Sequence, residues 1–110
     1  MAKKVRVHVY ESDSEFRVFP PVIELDASGP KDDLDFVNHT AEDMVCYFDA
    51  GLLGAGAISE AVGKQGGKSG IKKPHSQGAG NLKIAKYQVF MVQSGKKAKG
   101  NSDPVIIIEN

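Results

Sequence analysis

The chain has one cysteine, Cys46, and no tryptophan among its 110 residues. A lone thiol excludes an internal disulfide and any cluster of thiolates around a metal. No apolar run approaches the ~20 residues of a membrane-spanning helix. The opening Met1-Ala2-Lys3-Lys4 leads into an alternating segment and not into the apolar core of an export signal. Such a start fits a cytoplasmic chain as written, and a periplasmic or extracellular one if a signal has been removed. Acidic side chains are missing from residues 61–102, which carry nine lysines, whereas residues 1–60 carry twelve acids and five basic groups. The formal net charge of zero therefore conceals a strong asymmetry. It has two readings: solvated surface that differs along the chain, or a basic face for an acidic partner, a phosphate or a nucleic acid.

What is present is an ordinary globular composition, 41% hydrophobic and 25% charged, in a length that suits one domain spanning 1–110. Val5, Val7 and Val9 alternate with Arg6, His8 and Tyr10, the period of a strand with one buried face. Phe16 to Phe19 continues after a polar turn, and Pro20-Pro21 must break or bend the strand because proline donates nothing to a ladder. Val22 to Leu25, Leu34 to Asn38 and Met44 to Phe48 read as further strands, the last placing Met44, Cys46 and Phe48 on one face. Leu82 to Ala85 and Tyr87 to Val92 follow. Val105 to Ile108, an unbroken β-branched run, predicts a strand covered on both sides.

Residues 51–80 stand apart. They contain nine of the twelve glycines together with Lys64, Lys68, Lys72 and Lys73. Ala55 to Val62 is compatible with one or two helical turns, and the remainder predicts a long mobile loop. Six or seven short strands separated by turn chemistry point to an all-β sandwich or barrel.

Chemical motifs are sparse. Gly67-Lys68-Ser69 resembles the end of a P-loop, but the glycine that should precede it by five positions is Val62. Asn38-His39-Thr40 meets the glycosylation rule, which matters only in a secreted eukaryotic chain. His8, His39 and His75 share no ligand spacing and read as surface histidines. Cys46, between Val45 and Tyr47, reads as a small buried hydrophobe. Asp32, Asp33 and Asp35 read as solvated turn residues. No grouping of nucleophile, base and acid stands out, so no enzyme is expected.

Two segments together resemble the cupredoxins, the plastocyanin and azurin family. In Phe36-Val37-Asn38 through Met44-Val45-Cys46-Tyr47-Phe48-Asp49, a strand ending Phe-x-Asn leads by a short loop to the next strand, which in that family opens on a copper-binding histidine. Tyr87-Gln88-Val89-Phe90-Met91 resembles the aromatic strand that carries the family's copper-binding cysteine, and Phe19 to Leu25 resembles its second strand. The resemblance implies an antiparallel Greek-key β-sandwich with 51–80 as a variable Gly/Lys-rich loop. It places the first histidine at Met44 and the cysteine at Met91, and no histidine follows among residues 92–99.

A blue-copper centre needs two imidazoles and a thiolate, so no metal or other cofactor is expected. Met44 and Met91 become vestigial positions that fill the cavity. The alternative is an electron-transfer or copper-handling protein with a Cu(I) site on Met44 and Met91, with His39 as the nearby imidazole. The favoured expectation is a non-catalytic binding or scaffolding module. Its partner face is Lys64, Lys68, Lys72, Lys73, Lys96, Lys97 and Lys99, two loops that the resemblance places at one end. Flexible lysines without aromatics suit an acidic protein or anionic surface and not sequence-specific nucleic acid.

Overall fold

The computed structural model describes residues 3–49, 51–53, 59–78, 80–98 and 103–109. Among these, every regular element is a β-strand: β1 (Lys4–Ser12), β2 (Glu15–Phe19), β3 (Val22–Asp26), β4 (Asp33–Asn38), β5 (Met44–Tyr47), β6 (Ser59–Val62), β7 (Gly67–Lys68), β8 (Leu82–Lys86), β9 (Gln88–Met91), β10 (Lys97–Ala98) and β11 (Val105–Glu109). No helix of the described residues is long and apolar enough to cross a membrane.

One sheet runs β2-β1-β4-β7. The β1–β2 hairpin turns on Asp13 and Ser14, both with positive φ (54° and 64°), the left-handed pair that matches strand twist in a two-residue turn. Pro20-Pro21 then does what the sequence requires. β2 ends at Phe19 in this sheet, a cis peptide joins Phe19 to Pro20, and β3 resumes in a different sheet, ordered β3-β11-β8. A third sheet is ordered β10-β9-β5-β6. β8 and β9 are consecutive parts of one alternating run, linked by Tyr87, whose N–H donates to the Pro104 carbonyl at 2.9 Å. β8 pairs with β11 and β9 with β5.

A single core joins all three sheets. It includes Val7 and Val9 from β1, Phe36 from β4, Met44 and Cys46 from β5, Val89 and Met91 from β9, and Ile106 and Ile108 from β11. The architecture is all-β and compatible with a sandwich, its inward residues alternating with outward ones along most strands.

Three expectations need correction. The pairing is mixed and not purely antiparallel: β1 lies parallel to β4 and β3 parallel to β11, because the chain crosses between sheets before each of these pairs forms. The 51–80 stretch is not one long loop. β6 pairs with β5 and β7 with β4, while Leu53 bridges Pro74 and Lys72 bridges Leu34. The helical turns expected over 55–62 fall partly outside the described residues, and 59–62 is strand. Finally, β11 is central but covered unequally: Ile106 and Ile108 are fully buried, Val105 and Ile107 only half-buried.

Candidate functional site

Met44 and Met91, forty-seven positions apart, are cross-strand partners in the β5–β9 ladder. Met44 also faces Val62 of β6, so three strands place an apolar row here, and both methionines are essentially unexposed. The next inward row is Cys46 opposite Val89, both at 0% exposure. Burial, and secondarily the charge of Glu60, pushes the Cys46 thiol up to about 12, so it stays protonated and unreactive at neutral pH. Phe48, on the same face as expected, contacts the rings of Phe36 and Tyr87. Thioethers in such a row are well-packed filling for an irregular core.

His39 does not join them. It is exposed, and its Nε2 lies 2.8 Å from Nδ1 of His8. The proposed trio of Met44, Met91 and His39 is therefore divided between the core and the surface. The methionines converge; the imidazole has a different neighbour.

The loops beside this row are tied by polar groups of residues 38–43. Asn38, fully buried, accepts from the Thr40 N–H and hydroxyl through Oδ1 (2.9 and 2.7 Å) and donates through Nδ2 to the carbonyls of Glu42 and Val62. The Asp43 carboxylate accepts from the Lys64 N–H at 3.0 Å, and the Asp43 carbonyl from the Val92 N–H at 2.8 Å. The Glu42 carboxylate accepts from the Ser94 N–H at 2.6 Å. Segments 63–66 and 92–96 thus both lie beside residues 38–43, at one end of the β5–β9 ladder.

The lysines do not all follow. Lys64 and Lys96 are exposed at this end, and Lys68 is exposed on edge strand β7. Lys72 pairs with Glu60 at 3.1 Å, Lys73 with Asp33, and Lys97 with Asp103 at 2.7 Å. Lys99 lies outside the described residues. Counting acids along 61–102 concealed these pairs because every partner lies elsewhere in the chain.

The Gly-Lys-Ser segment has a structural explanation. The amides of Lys64, Gln65, Gly66 and Ser69 donate to Asp43 Oδ1 and to the carbonyls of Thr40, Asn38 and Phe36. Amides committed to such partners cannot wrap a phosphate. Asp32 and Asp35, read as solvated, are buried. Asp32 accepts from the Lys3 and Asp26 N–H groups, both at 2.8 Å. Asp35 lies 3.7 Å from Arg6 and accepts from the Ser69 hydroxyl at 3.3 Å. Two carboxylates with fixed donors can enter a protein where unpaired ones cannot.

Comparison with known proteins finds no family model, no curated protein and no solved structure that matches this chain.

Proposed function

We propose that this chain is a non-catalytic binding or scaffolding module, built as a cupredoxin-like Greek-key β-sandwich whose copper position is filled by methionine. One observation carries the reading. The two positions at which the cupredoxin resemblance sets a histidine and a cysteine, Met44 and Met91, stand side by side on β5 and β9 and are sealed in the core.

Without a thiolate at that position, charge transfer from sulfur to Cu(II) has no donor. Adding stoichiometric Cu(II) to the protein should give no intense visible band, and a strong band would overturn the reading. Adjacent thioethers favour one rival, a Cu(I) site on Met44 and Met91, since soft sulfur accepts Cu(I). Titration with Cu(I) under reducing conditions, comparing the protein with a Met44→Leu, Met91→Leu variant, separates the two. The filled-core reading expects equal, weak uptake by both.

A further inference from the structure

The two imidazoles at the surface form a geometry that the sequence hides, because His8 and His39 are thirty-one positions apart. His8 lies in the middle of β1, held on one side by Phe19 of β2 and on the other by Val37 of β4. His39 directly follows β4, and its backbone N–H donates to the Val9 carbonyl at 2.8 Å. Both backbones are therefore fixed by the same central ladder. Nδ1 of His8 and Nε2 of His39 are 2.8 Å apart, with ring centroids at 5.0 Å and the ring planes 23° from parallel. A nitrogen separation so much shorter than the centroid separation places the rings end to end and nearly coplanar, not one above the other. One ring nitrogen donates its proton to the lone pair of the other.

We propose that His8 and His39 form a surface chelate for a divalent late transition-metal ion of tetragonal preference, nickel(II) or copper(II). Two cis nitrogens ~2.0 Å from an ion and at a right angle stand about 2.8 Å apart; the hydrogen-bonded pair holds its facing nitrogens along one line, so one ion can reach both once the rings turn. Binding requires both facing nitrogens to offer lone pairs. The proton they share moves to the far nitrogen of the donor ring, Nε2 of His8 or Nδ1 of His39, so the ion displaces a hydrogen bond and releases no net proton from the neutral pair. The rings then pivot about χ2, a soft torsion, until both lone pairs meet at a point on the solvent side. Water completes the coordination. No group of three or more histidine, cysteine or carboxylate ligands is present among the described residues, so the site is a two-point anchor. Its advantage over a single imidazole comes from the ladder, which fixes both backbones and keeps the two rings within reach of one ion. Arg6, also on β1, is engaged by Asp35, and Lys68 is the nearest cationic residue in the ladder beyond Val37.

Nickel(II) is the probe, because it avoids redox chemistry and has little affinity for the thioethers of the core. Titrated into the intact protein, it should bind at one site and selectively broaden the amide resonances around residues 8 and 39. His8→Ala and His39→Ala should each weaken binding at least tenfold, while His75→Ala, removing the third histidine, should change it less than twofold. His39→Gln provides a second variant that keeps a polar side chain at the surface, and it should lose binding to the same degree. Loss of less than twofold in the His8 or His39 variants, or broadening centred on residue 75, would overturn the proposal.

Discussion

The Tyr87 ring packs against the rings of Phe36 and Phe48, and its hydroxyl is buried without a hydrogen-bond partner among the described residues. Burial, with a smaller contribution from Cys46, pushes its phenol far above the usual range. A buried hydroxyl with no partner costs roughly 1–3 kcal/mol, whereas the ring itself fills the core. Tyr87→Phe should therefore leave stability unchanged or raise it by up to about 2 kcal/mol, read from the urea midpoint. A loss of more than about 1 kcal/mol would reveal a partner for the hydroxyl. Cys46 gives a pH signature. Its folded pKa, about 12, lies above the 9.0 of a free thiol, so the folded state retains a proton that the unfolded chain loses. Its contribution is fully present below pH 9 and declines as pH rises toward 12, at about 1.4 kcal/mol per unit. Unfolding free energies measured from pH 8 to 11 should fall more steeply for the original protein than for Cys46→Ala. The cavity cost of that variant is independent of pH, so equal slopes would mean that the thiol is not shielded.

At the scale of elements, the glycine-rich segment owes its order to close backbone contacts as well as to the side-chain ties of Asp43, Ser69 and Lys72. A Cβ on Gly67 would lie 2.1 Å from the Gly63 carbonyl oxygen, which no side chain can tolerate. Gly67→Ala should thus detach β7 from β4, at a cost of at least about 2–3 kcal/mol, and tryptic cleavage after Lys64 and Lys68 should accelerate. Gly63→Ala is the matched control: nothing lies within 4 Å of its added methyl and its φ is not positive, so cleavage should be unchanged. Similar cleavage of both variants would show that this turn is not closely packed. The same contact explains what the sequence could convey. Strands β1, β4, β5 and the β8–β9 run were legible because alternating Val, Phe, Met and Ile record which face is buried. The convergence of Met44 with Met91 was not in the alternation; only the cupredoxin resemblance set these two positions together. β6 and β7 were not, since Ser59-Glu60-Ala61-Val62 and Gly67-Lys68 have little alternation to read and pair through backbone amides. Nor were the buried Asp32 and Asp35, whose partners come from three separate parts of the chain: Lys3 and Arg6 at its start, then Asp26, then Ser69.

For the molecule as a whole, the question is whether the charge asymmetry of the sequence survives folding as a surface. It survives in part. Lys72, Lys73 and Lys97 are neutralised by Glu60, Asp33 and Asp103, and Glu42 and Asp43 stand beside the loops that carry Lys64 and Lys96. Of the seven lysines expected to form the partner face, Lys64, Lys68 and Lys96 are the described ones that are exposed without an ion pair. Three such point charges favour an acidic surface through long-range attraction, not through directional bonds. Binding of the protein to an acidic polypeptide or a negatively charged resin should therefore be modest. It should weaken as the Debye length contracts from ~10 Å at 0.1 M to ~3 Å at 1 M salt. Replacing Lys64, Lys68 and Lys96 with glutamate lowers the net charge of the whole molecule as well as that of the face, so the comparison needs a charge-matched variant. Lys4, Lys31 and Lys86 lie outside the proposed face and supply it. If the face binds, the Lys64/Lys68/Lys96 variant should lose retention at low salt while the Lys4/Lys31/Lys86 variant keeps most of it, with both still folded by circular dichroism. Equal losses would mean that net charge alone governs attraction, and the lysines would then be solvated surface with no partner to recognise.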